Sequence, residues 1–151
     1  MRKPRLSTGP IVRTREMERK YKNHRKLLEK SNCDFCDFTP VSKQVRREFA
    51  HFWLVDNIFP YALWDGCRVL EHLLLVPKRH VISLSELTAI ESAEYVQIIS
   101  NLEDSGYAVY ARPAVSSAKS VPHQHTHFIH IDNIKIKTLY YNYSPHMLYF
   151  T

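Results

Sequence analysis

The chain has 151 residues, 44% of them hydrophobic and 12% aromatic, which fits one folded domain with a real core and excludes a disordered chain. Only three glycines are present and they form no Gly-rich phosphate loop. The net charge of +6 is uneven: residues 1–48 hold 14 Lys/Arg against 6 Asp/Glu, residues 49–151 hold 7 against 9.

In chain order, the Pro- and Arg-bearing residues 1–12 read as disordered. Residues 13–30 are charged and free of Gly and Pro, with Met17, Tyr21, Leu27 and Leu28 as apolar points, and predict a surface helix of modest amphipathicity. Residues 1–30 thus form a basic arm ahead of a body spanning 31–151. The arm's charge reads as a solvated helix face in preference to a nucleic-acid contact. Residues 31–40 form a compact turn bearing Cys33-x-x-Cys36, a metal or redox pair in a chain with no export signal.

A strand is expected over 49–56, broken by Asn57-Ile58-Phe59-Pro60-Tyr61, because Pro60 cannot donate to a ladder. The near-continuous apolar run 69–76 predicts a strand buried on both faces. Thr88 with Glu91 makes a capping box for a helix to about residue 102, with Tyr95, Ile98, Ile99 and Leu102 inward. Two more strands follow, over 106–111 and 121–131. The Tyr-rich tail 134–150 suggests strand pairing of unassigned place; its Tyr140, Tyr141, Tyr143, Tyr149 and Phe150 suit burial of the sheet's other face better than a base-stacking platform. This order predicts an α+β domain: an antiparallel sheet, one main helix packed on it, and the helical arm. No apolar run approaches the ~20 residues of a bilayer span, so no membrane partner is expected and a cytoplasmic location is.

The chemistry concentrates in Ser120-Val121-Pro122-His123-Gln124-His125-Thr126-His127. In a strand, positions i, i+2 and i+4 share one face, with Cα atoms about 6.5–7 Å apart. A core face rarely spends three such positions on imidazole, because each needs partners when buried. His24, His51 and His146 belong to no such pattern and read as structural or exposed, and Cys67 as a buried small hydrophobe.

The segment resembles the signature of the histidine-triad (HIT) superfamily, His-x-His-x-His followed by apolar residues. His72-Leu73-Leu74-Leu75-Val76-Pro77-Lys78-Arg79-His80 resembles that family's apolar strand ending in Pro-Lys-x-His. Residues 57–61 resemble its nucleoside-holding turn, and Cys33-x-x-Cys36 matches a pair found near the start of many members. The resemblance covers about residues 31–131. It implies that His125 attacks the α-phosphate of a nucleotide and forms a nucleotidyl-imidazole, with the first triad residue's carbonyl fixing its tautomer. His127 and Ser120 would donate to phosphate oxygens. Asn57, Phe59 and Pro60 would hold the nucleoside. Arg112 and Lys119 stand where members carry Asn and Gln, and would add charge beside the phosphates. Ala118-Lys119 ahead of the Ser, and His130-Ile131-Asp132 in place of a Pro-Arg exit, depart from the pattern. By the same resemblance Cys33, Cys36, His80 and His123 would hold a structural Zn²⁺. The implied activity is hydrolysis or nucleotidyl transfer on a phosphoramidate or dinucleoside polyphosphate; the alternative is a nucleotide- or nucleic-acid-binding module with little turnover. A homodimer is compatible with either.

Overall fold

The computed structural model of the chain describes residues 13–28 and 33–151. The expected disorder of residues 1–12 and the last residues of the predicted arm helix, 29–30, lie outside them. The body is an antiparallel sheet built from β1 (Val45–Glu48), β2 (Phe52–Asp56), β4 (Cys67–Pro77), β6 (Thr126–Lys135) and β5 (Ala108–Ala111), in that spatial order. A short β3 (Leu63–Trp64) adds to β4. β4 and β6, the two central strands, pair from Cys67↔Lys135 to Leu75↔Thr126.

Helix α2 (Ala89–Asp104) covers one face of the sheet. Thr88 accepts from the Glu91 amide, and Glu91 reaches back to the Thr88 amide, so the predicted capping box is present. Gly106, at φ 91°, ends the helix in the left-handed conformation a C-terminal cap needs. Ile98 joins Phe52, Leu54, Leu73, Leu75 and Phe128 in the main core, with Tyr95, Ile99 and Leu102 against it, as the helical spacing predicted. The opposite face carries Trp53, Val55, Leu74 and Val76, packed by Phe35 and Phe38 from the turn around Asp34–Asp37. Because alternate residues of a strand face opposite sides, His72 lies on the face of Leu74 and Val76. Cross-strand pairing puts His127 opposite Leu74, and Tyr110 opposite His127, on that same face.

Three expectations shift. The strand predicted over 121–131 begins only at Thr126: the Gln124 amide donates to Val81 O at 2.7 Å, so 121–125 form a loop crossing the sheet end. The strand predicted over 49–56 is a hairpin arm, β2, that turns at Phe49–Phe52 into β1. The tail does not cover the sheet. It folds on itself as β7 (Leu139–Asn142) and β8 (Met147–Phe150), leaving Tyr140, Tyr143 and Tyr149 exposed.

The arm helix, α1 (Arg15–Leu28), is capped by Thr14, whose hydroxyl accepts from the Met17 amide at 3.3 Å. Its half-buried positions Met17, Glu18, Tyr21 and His24 recur at helical spacing and form its inward side, whereas Leu27 is exposed. Tyr21 and His24 pack on Phe59, with ring centroids 5.5 and 5.1 Å apart. No helix among the described residues is long and apolar enough to cross a membrane.

Candidate active site

A cavity of about 500 Å³ opens between α1, the Cys33–Phe38 turn and the sheet face opposite α2. Ser120, Val121, His125 and His127 form its floor, Asn57 and Phe59 one wall, and Arg13, Tyr21 and His24 of the arm another.

The three triad histidines are all buried, yet each is fixed by a different partner. His123 donates Nε2–H to Pro77 O at 2.9 Å, which leaves its Nδ1 lone pair free. His125 does the reverse: Nδ1–H donates to His123 O at 2.8 Å, leaving Nε2 unprotonated. Burial takes the His125 pKa down to about 4, so the ring is a neutral base near pH 7. Phe35 packs edge-on against it, with centroids 5.3 Å apart.

His127 is set by a residue whose role the sequence did not reveal. His72 Nδ1 accepts from the Tyr61 amide at 3.1 Å, so the neutral ring carries its proton on Nε2, 2.8 Å from His127 Nδ1. His72 therefore donates to His127, and His127 must carry its own proton on Nε2. Burial, with Arg13 and His125 nearby, pushes His72 down to about 3; burial, the neighbouring histidines and two arginines hold His127 well below its ordinary value. The His127 ring stacks on Tyr110 at 4.4 Å and 9°, and Tyr110 shares a hydrogen bond with the Tyr61 hydroxyl. The available signal was a single imidazole, His72, directly ahead of the apolar run Leu73–Val76.

The other predicted positions are distributed unevenly. Asn57 Oδ1 accepts from the Phe59 amide at 2.9 Å, shaping the turn before Pro60, and its amide lies against the His72 ring. Arg112 sits at the end of β5, over the Tyr110 ring and 3.5 Å from the Tyr61 hydroxyl. The Lys119 ammonium is engaged by Gln124 Oε1 at 2.6 Å and Ile82 O at 2.9 Å. His24 is not isolated: it bonds Asp34 at 3.1 Å and lines the cavity. His51 is held by Glu94, and His146 reaches Arg13 O at 3.2 Å.

Next to the cavity, the ligand atoms of Cys33, Cys36, His80 and His123 all lie within 4.8 Å of one another. Nδ1 of His80 is 3.2 Å from Cys36 Sγ, and Nδ1 of His123 is 3.4 Å from Cys33 Sγ. Burial, aided by Cys33, pushes the Cys36 thiol up to about 11. A cation is what would draw thiolates from such a pair. The set could hold a metal: two soft sulfurs, two imidazoles, and a Pro77 carbonyl orienting one of them.

No family model matches the sequence, and no curated protein matches it. Solved structures do match its fold. A HIT family hydrolase from Clostridium thermocellum superposes with TM-score 0.51 at 21% identity, covering 72% of this chain and 98% of that one. A HIT family hydrolase from Legionella pneumophila gives 0.51 at 20%, covering 69% and 95%. A histidine triad nucleotide-binding protein from Candida albicans gives 0.53 at 17%, covering 76% and 89%. The chain has the histidine-triad fold.

Proposed function

We propose that the chain is a nucleotide hydrolase or nucleotidyltransferase in which Nε2 of His125 attacks the α-phosphate. The observation that carries this reading is the His125 tautomer: a backbone carbonyl holds its Nδ1–H, so the nucleophilic lone pair faces a nucleotide-sized cavity. His127 Nε2–H and the Ser120 hydroxyl donate to the phosphate oxygens, where charge builds in the transition state. The turn of Asn57, Phe59 and Pro60 bounds the nucleoside end, and Arg112 adds a fork of donors from the β5 side.

Zinc suits the Cys33, Cys36, His80 and His123 set, with thiolate and imidazole donors in equal number. When bound it supplies fold energy, tying the Cys33–Phe38 turn to the loop that carries His123. Incubation with adenosine phosphoramidate followed by intact-mass and peptide analysis tests the enzyme reading. A nucleotidyl adduct on His125, absent in His125→Asn, is the expected result; a nucleotide that binds with neither adduct nor turnover would leave a binding module instead.

A further inference from the structure

The arm does more than cover the body. Arg13, just ahead of α1, lies on the wall of the same cavity as His125, His127 and Ser120. Its guanidinium carbon lies 4.1 Å from the Tyr21 centroid and 5.1 Å from that of Tyr61. Nε donates to Phe59 O at 3.0 Å. The side chain is only 14% exposed; Nη1 makes a long ion pair with Glu18 at 3.7 Å, a carboxylate shared with Lys22 at 3.8 Å. Two aromatic rings lie against the guanidinium, and of its nitrogens Nη2 has no hydrogen-bond or ion-pair partner among the described residues. Among the described residues it meets no carboxylate at hydrogen-bond length.

We infer that Arg13 is an anion-binding and specificity-determining residue of this pocket, contacting the phosphate that leaves when His125 takes the nucleotide, and so favouring phosphoanhydrides over phosphoramidates. The inference rests on the nucleotidyl-transfer reading above. The lone pair of His125 Nε2 forms the N–P bond, and the bond from phosphorus to the bridging atom breaks with its electron pair on the leaving group. A phosphate departs as an anion and needs only stabilisation of negative charge, which a guanidinium gives. An amine leaving group needs a proton as well. The tautomer chain from Tyr61 through His72 gives His127 one proton, on a neutral ring whose loss of it would make an imidazolate. His127 is thus a hydrogen-bond donor and a poor acid, and the positive charge of Arg13 helps keep both histidines neutral. Water then attacks phosphorus, the N–P pair returns to His125, and the water's proton passes to solvent.

The test compares diadenosine triphosphate with adenosine phosphoramidate on the intact protein, Arg13→Ala and Arg13→Lys. Arg13→Ala should lower kcat/KM on the anhydride about tenfold to a hundredfold more than on the phosphoramidate. Arg13→Lys, keeping the charge without the fork, should recover part of that difference. Parallel losses on both substrates would mean that Arg13 only seats α1, and unchanged selectivity would likewise overturn the proposal. If the wild-type protein forms no His125 adduct from either substrate, the nucleotidyl-transfer reading fails first and the role of Arg13 with it.

Discussion

His123 and His125 are two residues apart, both buried, and chemically opposite. One gives its Nε2–H to the Pro77 carbonyl and turns Nδ1 towards two thiols; the other gives Nδ1–H to the His123 carbonyl and turns Nε2 into the cavity. Residue type does not separate the proposed ligand from the proposed nucleophile here. The carbonyl that holds the far nitrogen does. The two sites meet in one residue, since the His123 ring belongs to the first and its carbonyl to the second.

The comparison breaks most completely at the nucleophile. His125→Asn should lower turnover by roughly a thousandfold or more while leaving the fold and nucleotide affinity near wild type, as read by steady-state kinetics and calorimetry. Turnover within tenfold of wild type would sink the assignment. On the other side, Cys33→Ser should remove one equivalent of zinc per chain by elemental analysis and lower Tm by many degrees, because structural zinc contributes on the order of 10 kcal/mol of coupled folding energy. A metal-free protein of unchanged Tm would rule the site out.

The next effect is smaller and tests the neighbour rather than the pair. His72→Gln removes the aromatic relay behind His127 and should lower kcat about a hundredfold with KM little changed; an unaltered kcat would show that His127 sets its own tautomer. Smallest is Glu91, which caps α2 and also grips Arg79, the residue before His80. Arg79 and the cap hold its pKa down at about 2 from an ordinary 4.5. A lowered folded-state value means that this stabilisation is full above about pH 4.5 and is lost as pH falls through about 2. Glu91→Gln should cost about 1–2 kcal/mol near neutrality and flatten the acid limb of a denaturation profile, leaving kcat nearly untouched.

Much of this was legible in the chain. The Thr88–Glu91 box lies where its spacing indicated, and the apolar run 69–76 is a strand as read, though buried on both faces only from His72 onward, with Leu70 exposed. The hairpin joining β3 to β4 was legible but unread: Asp65 and Gly66, at φ 50° and 73°, are the Asp-Gly pair that two-residue turns favour. Other features had no local cause. Periodicity continued a strand back through His123, where a tertiary bond from Gln124 to Val81 enforces a loop. His72 acquires meaning only from the strand beside it, and Arg13 only from a helix folding across Phe59. The tail's tyrosines are as apolar as core residues usually are, and hairpin pairing still left three of them in solvent.

His146, in the turn of the tail hairpin, holds the carbonyl of Arg13 from 133 positions further along the chain. The tail hairpin is thereby bonded to Arg13, which lines the cavity. During synthesis this wall lacks one of its anchors until residue 146 has emerged, so a nascent chain carries the whole triad well before it carries a finished pocket. Truncating or fusing the protein near β8 is then an intervention on an anchor of the cavity wall, although no residue of that strand comes from the triad segment.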